Sequence, residues 1–363
     1  MDKDTCLYCV EEADSIEHPL PAAFGEFQAA PVLERRICRK CNNKRLGVLD
    51  EQLVRCGPEA ILRRCFRVQG RSTHNEVNPH YRGSAGGQRL KMKAYDKSLG
   101  AEVELELLGG QEVRQLCQLV FVETSGKTHH LPISDDVRDP EKLRVAYHKL
   151  GVTDLASATV HLICDPDERV WLEPLIHDVW PSGTFGPAVL GAKNYENGAV
   201  VDLQVNHRYF RAIAKIGFHY FLTQFPAFAG SEPCFSDIRR FIIEDCGPVT
   251  LANKFVGKRD DSLLGEMRGG ARPDGWVAHV VTAEITSEAC QAHIQLFVCK
   301  DYPAPAYTVR LAAQGDNSAI SASGHAYVYF DQPPKGRFSG KAHTLTVTRT
   351  AASSQPLKPV VET

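Results

Sequence analysis

The chain has no run of about eighteen apolar residues, which excludes a membrane-spanning helix at the sequence level. Its first residues, MDKDTCLYCVEEAD, lack the apolar stretch that a secretory signal needs. The cytoplasm is therefore the expected location. There is no internal repeat, so a solenoid or propeller is not expected. Overall charge is also scarce: 42 Lys and Arg against 44 Asp and Glu give a formal net of −2. That near-balance hides an asymmetry, since residues 30–71 hold eleven Lys or Arg against four Asp or Glu, leaving −9 for the remainder. A local basic excess of this kind suits an anionic partner, and it equally suits a solvated helix face.

What is present divides into segments. At 363 residues the chain exceeds what one hydrophobic core usually serves, so several units are expected. The first, residues 1–72, carries the cysteine pairs and the basic stretch, and EAILRRCFRV after Gly57-Pro58 has helical spacing. Residues 73–94, rich in Gly, Ser, Asn and His, read as a linker. Residues 95–185 read as an α+β region. AEVELELL alternates as a strand, RQLCQLVFVET is its partner across Gly109-Gly110, and PEKLRVAYHKLG is a helix between Pro140 and Gly151. Residues 186–350 combine the long helix NHRYFRAIAKIGFHYFLTQF and a shorter one, FSDIRRFIIEDCG, with five strands separated by Gly, Pro, Asn and Asp. This last region offers a surface for substrate or partner recognition. Residues 351–363 read as a flexible tail. The expected class is α+β, ending in a mainly antiparallel sheet with a long helix.

Twelve cysteines are present. Eight are scattered singly and are expected to act as small buried hydrophobes. The other four form two pairs, Cys6-Leu7-Tyr8-Cys9 and Cys38-Arg39-Lys40-Cys41. Two thiolates at this spacing bind one metal from a tight turn, and two such pairs complete a closed, structural zinc site. A redox dithiol would need a βαβ context, which is absent. The 28 residues between the pairs exceed the gap of a simple zinc ribbon, and they contain Glu17-His18-Pro19. Asn42 follows the last cysteine at once. A carboxylate and an amide oxygen are hard donors suited to Mg²⁺, and a neutral imidazole beside them accepts a proton from water. These residue types suit metal-assisted phosphodiester hydrolysis.

The run CxxC, then EHPLPAAFG, then CRKCNNKRLG resembles the HNH endonuclease superfamily, in its four-cysteine branch that includes phage endonuclease VII. The resemblance covers about residues 1–70. It implies a zinc-stabilised, treble-clef-like ββα-metal module that hydrolyses the DNA backbone to 5′-phosphate and 3′-hydroxyl ends. RNA is a second possible substrate. Residue by residue, it implies Cys6, Cys9, Cys38 and Cys41 as structural zinc ligands. It implies Glu17 and Asn42 as ligands of a catalytic Mg²⁺ or Mn²⁺, and His18 as the general base. The sequence departs from many members at Leu33, where they have Asn, at Asn42, where they have His, and at Glu17, where they have Asp. Arg35, Arg36, Arg39, Lys40, Lys44 and Arg45 flank the site and are candidates for phosphate contact. Arg63, Arg64, Arg67 and Arg71 form a second such group. Taken alone, Asn42 would more simply cap the helix that starts at the second pair. A non-catalytic, zinc-dependent nucleic-acid-binding module is the alternative to the nuclease.

Overall fold

The computed structural model describes residues 5–66, 78–80, 89–133 (except 98, 110 and 111), 139–151, 158–180, 184–186, 199–203, 205–244, 249–260, 277–298, 304–313, 321–329 and 339–345, with Val68 and Leu263. Most of the expected linker and all of the expected tail lie outside these residues. The architecture is α+β, with seven α-helices and several sheets, mainly antiparallel, among the described residues. No described helix is long and apolar enough to cross a membrane.

The N-terminal segment holds three short strands, β1 (Ser15–Glu17), β2 (Glu26–Gln28) and β3 (Leu33–Ile37). A π-helical turn at Cys41–Leu46 then leads into α1 (Gly47–Arg55). Helix α2 (Pro58–Cys65) starts on Pro58, whose missing N–H costs nothing at a first turn. β1 and β3 pair antiparallel.

The middle region forms two four-stranded sheets. One joins β4 (Lys91–Asp96), β5 (Ala101–Gly109) and β6 (Glu112–Gln115) to the later β11 (Val200–Asp202). The other orders β7 (Gln118–Val122), β8 (Thr128–Pro132), β9 (Thr159–Ile163) and β10 (Thr184–Gly186) as β10-β9-β7-β8. Helices α3 (Pro140–His148) and α4 (Pro166–Val179) pack on this second sheet, where Phe121, Tyr147 and Trp180 meet. Asp139 caps α3 by accepting from the amides of Glu141 and Lys142. The stretch RQLCQLVFVET is thus two strands in two sheets rather than one. At the break the buried Gln118 amide donates to the Glu104 and Leu116 carbonyls, and its oxygen accepts from the Glu104 N–H. The side chain supplies the bonds that a continuous strand would have made.

The long helix α5 (His207–Gln224) organises the rest. Asn206 caps it through Tyr209 N–H. With α6 (Ser236–Ile243) and α7 (Val249–Phe255) it covers a seven-stranded sheet. That sheet is built from β12 (Val256–Arg259), β13 (Val277–Ile285), β14 (Ala289–Val298), β15 (Ala306–Ala313), β16 (Ser321–Tyr329) and β17 (Ser339–Leu345), in the order β12-β15-β14-β13-β16-β17-β2. Its last edge is β2, which pairs parallel with β17. The N-terminal segment therefore contributes a strand to the C-terminal sheet. One buried core runs from Cys6 through α5 to Ala342, so the expected boundary at residue 72 does not divide it.

Helix α5 approaches the sheet most closely at Gly217. A Cβ there would lie 3.0 Å from Val309 Cγ2 and 3.2 Å from Ala292 Cβ. Alanine would gain about 1 kcal/mol of helix propensity but overpack a fixed interface at about 1–3 kcal/mol. Gly217→Ala is expected to lower stability by about 1 kcal/mol, read as a lower urea midpoint at unchanged slope. A higher midpoint would show that the interface yields.

Candidate metal centre

The four-cysteine cluster begins with two tight turns. In the first, Cys6 N–H donates to the Glu11 carbonyl at 2.9 Å, and Tyr8 N–H points at Cys6 Sγ at 3.5 Å. In the second, Cys41 N–H points at Cys38 Sγ at 3.3 Å. Leu7 N–H reaches the Arg36 carbonyl at 2.9 Å and brings the turns together. The four sulfur atoms lie within 4.8 Å of one another, with Cys9–Cys38 at 3.5 Å and Cys9–Cys41 at 3.6 Å. A tetrahedral zinc with Zn–S bonds of about 2.3 Å needs sulfurs about 3.8 Å apart, so the donor set and its size fit zinc. Burial and the neighbouring thiols push Cys41 well above the usual thiol range. Burial acts likewise on Cys38, but the N–H and S–H donors around it prevail and lower it. Four such sulfurs are compatible as thiolates only with a cation among them.

Strand β1 leaves the first turn and is locked to β3 by Ser15 Oγ–H to the Ile37 carbonyl at 2.6 Å. The register jumps from Ser15↔Ile37 to Ile16↔Glu34, leaving Arg35 and Arg36 in a bulge. Arg35 takes the left-handed conformation there, with φ of 51°. The bulge turns Arg36 inward, and its Nη1 donates to the Ala229 carbonyl at 2.7 Å. Arg36 is a tie to the loop after α5. The other five candidates, Arg35, Arg39, Lys40, Lys44 and Arg45, are exposed around the second cysteine turn and the helix it starts.

Asn42 is not a helix cap. A cap accepts a backbone N–H, and here Asp14 Oδ1 does so, from Arg39 N–H at 2.7 Å. Asn42 instead donates through Nδ2, to the Ile16 carbonyl at 3.2 Å and Ser15 Oγ at 3.3 Å. Its amide joins the helix start to β1 one residue before Glu17-His18. His18 is half-buried.

Glu17 turns the other way, into the core, and is 4% exposed. Its Oε1 lies 2.5 Å from Lys215 Nζ and 3.3 Å from His219 Nδ1, both on α5. Lys215, fully buried, also reaches Asp50 of α1 at 2.8 and 2.9 Å. His219 Nε2 meets Tyr8 Oη at 2.7 Å, inside the first cysteine turn. Burial opposes ionisation of Glu17, but the Lys215 ammonium and His219 outweigh it and hold the carboxyl at about 2. Burial likewise opposes the charge on Lys215, and Asp50 and Glu17 restore it, raising its pKa. Burial lifts Asp50 to about 6 against the pull of Lys215. Burial also lowers His219, which stays neutral between a donor and an acceptor.

The residues singled out in the sequence are thus brought together in part. The cysteines converge, and Asn42 is tied to β1, which ends one residue before His18. Glu17 does not fit a two-ligand ion site with Asn42, since its carboxylate is engaged by an ammonium in the interior. Arg63 and Arg64 are also buried, donating to the Ala23 and Leu107 carbonyls at 2.7 and 2.6 Å, so they are structural rather than phosphate-binding. Arg67 and Arg71 lie outside the described residues. Among the single cysteines, Cys56, Cys164 and Cys290 are buried as expected, whereas Cys234 is exposed.

Lys215, His219, Asp50 and Tyr8 were not singled out from the sequence. A signal was present: Arg211, Lys215 and His219 recur every fourth residue on a helix that is otherwise apolar there. Comparison with family models, with curated proteins and with solved structures finds no match to this chain.

Proposed function

We propose that the chain is an HNH-type endonuclease that hydrolyses DNA with the help of a divalent ion, on a treble-clef-like zinc scaffold. One observation carries the reading. Asn42, directly after the fourth clustered cysteine, is bonded to the backbone of β1, whose last residue, Glu17, precedes His18. Because the nitrogen of the Asn42 amide is anchored to β1, its Oδ1 is the half left to serve a ligand. Mg²⁺ keeps several waters and is usually held by one or two carboxylates plus substrate phosphates, so with Glu17 engaged elsewhere the phosphate oxygens would have to supply the charge beside Asn42 Oδ1. Such an ion would offset charge at the phosphate and leaving oxygen. His18 takes the proton from the attacking water as a neutral imidazole. Arg35, Arg39, Lys40, Lys44 and Arg45 hold the phosphate backbone and set the register of the strand against His18.

The test is nicking of supercoiled plasmid by purified protein with Mg²⁺ or Mn²⁺. His18→Ala is expected to cut slower by about 10²–10⁴-fold, the usual contribution of a general base. Cleavage undiminished in that variant would rule out His18 as the base. The engagement of Glu17 by Lys215 favours a second reading, a zinc-dependent nucleic-acid-binding module without catalysis. It predicts no nicking and salt-sensitive binding. If the five exposed cations each meet a phosphate, log K falls against log salt with a slope near about −4.5.

A further inference from the structure

We infer that Glu17 is a positioning residue rather than an ion ligand, and that Lys215 of the C-terminal half holds it, so that α5 fixes the strand that leads into His18. The inference rests on the endonuclease reading above and assigns that site a part from outside the first 72 residues.

The donor count supports it. An ammonium has three N–H bonds. Lys215 has three carboxylate oxygens around it, Glu17 Oε1 at 2.5 Å and the two Asp50 oxygens at 2.8 and 2.9 Å. Its hydrogen-bonding capacity is filled. The same Glu17 oxygen accepts from His219 Nδ1–H, whose other nitrogen accepts from Tyr8 O–H. One face of α5 thus grips three elements of the N-terminal segment: the cysteine turn through Tyr8, β1 through Glu17, and α1 through Asp50. An ion binding at Glu17 would have to displace a saturated ammonium in a dry interior.

Chain connectivity turns this anchor into a constraint. Glu17 is the last residue of β1 and His18 follows it at once, so fixing Glu17 fixes the backbone from which His18 leaves. Releasing Glu17 lets β1 rotate and takes His18 out of line. A displacement of roughly 1 Å in a catalytic group costs about a hundredfold in rate.

The experiment uses the full-length chain as wild type, Lys215→Met and Glu17→Gln. Plasmid cleavage is measured against Mn²⁺ concentration, and hydrogen exchange is followed at the amides of residues 15–18. Positioning predicts that Lys215→Met lowers the saturated rate by about ten- to a hundredfold. The Mn²⁺ concentration at half-maximal rate stays within about twofold of wild type in both variants, and the β1 amides of Lys215→Met exchange faster. Glu17→Gln keeps the shape and an acceptor oxygen, and it carries the ion-dependence test should Lys215→Met not fold. A tenfold or larger rise in half-saturating Mn²⁺ in Glu17→Gln would make Glu17 a ligand and overturn the inference. So would unchanged exchange in Lys215→Met. A wild type inert with every ion would refute the endonuclease reading instead, and the exchange result would still decide whether Lys215 holds β1.

Discussion

Removing metal from the four-cysteine cluster is expected to destabilise the seven-stranded sheet along with the N-terminal segment. A structural zinc site rarely persists without its ion, and binding contributes roughly 10–16 kcal/mol in isolated zinc-finger peptides. In an independent N-terminal domain that loss would stay local. Here Cys6, Cys38 and Cys41 belong to the same buried core as α5 and the sheet. The first cysteine turn is also held from the C-terminal half, by Arg239 Nη1 to the Leu7 carbonyl at 3.2 Å and by His219 to Tyr8. Without the ion, buried thiols lose the cation that reconciles their charges, and α5 loses one of the surfaces it packs against. A cost of at least about 5 kcal/mol is expected even after the sheet retains what it can. For a unit of 150–250 residues that is about 10–20 °C in melting temperature. The sheet formed by β7–β10 has an aromatic core on one face but shares its other core with β4, β5 and, through Ile61 and Cys65, α2, so its transition is expected to shift less than the main one. Calorimetry with and without a strong chelator, and on Cys38→Ser, reads both. A main transition that moves by less than about 2 °C after verified zinc removal would show that the cysteines are dispensable to the fold.

How much of this was legible in the sequence depends on the range of the interaction. The long helix, the five C-terminal strands and the paired cysteines are local patterns, and each forms close to where its spacing predicts. The pairing of β2 with β17 is not local: Phe27 is opposite Gly340. Three residues of edge strand carry no periodic signal strong enough to announce such a partner. Glu17 and Lys215 pose the same problem. In the sequence Glu17 is an acid beside a histidine, and only the fold reveals the ammonium that satisfies it. Arg63 and Arg64 added to a basic count that suggested phosphate. Their heads instead serve loop and strand carbonyls, while their stems pack in the interior. Composition records that a cation is present, but not which acceptors it meets. Asn42 was ambiguous between cap and ligand because both uses favour the same residue type. Its donor–acceptor polarity resolved the cap half of that question.

Acid is expected to destabilise the protein well before ordinary carboxylates are protonated. Six histidines are lowered by burial, His161 and His219 among them. His80 and His279 fall to about 3, and His130 and His325 to about 4. Hydrogen bonding explains two of them in detail. His80 Nε2 accepts the Leu107 N–H at 3.0 Å. His279 Nδ1 accepts the Phe297 N–H at 3.1 Å, and its other nitrogen donates to Tyr329, which donates to the Phe24 carbonyl. A proton on the accepting nitrogen would break the bond and place a charge in the core. In the unfolded chain these rings titrate near 6.5, so the unfolded state binds the protons first. Their contribution to stability is present above pH 6.5 and is lost as pH falls toward 4. Two carboxyls act in the opposite sense over the same window. Burial raises Asp50 to about 6 and Glu59 to about 7, so the folded state takes up protons there before the unfolded one. These four rings and two carboxyls leave an excess of about two protons for the unfolded state, or about 3 kcal/mol lost per pH unit near pH 5, and His161 and His219 add to it in the same sense. Over two units that is comparable with the whole stability of many domains. Urea midpoints at pH 7.5, 6.5, 5.5 and 4.5 are expected to be level at first and then fall steeply. Zinc release takes up protons as well, and His279→Gln separates the two effects. Glutamine can accept from Phe297 N–H and donate to Tyr329 without titrating, so it should remove about one proton from the slope. Midpoints that hold level down to pH 4.5, or a slope unchanged by His279→Gln, would mean that these rings are protonated in the folded protein without penalty.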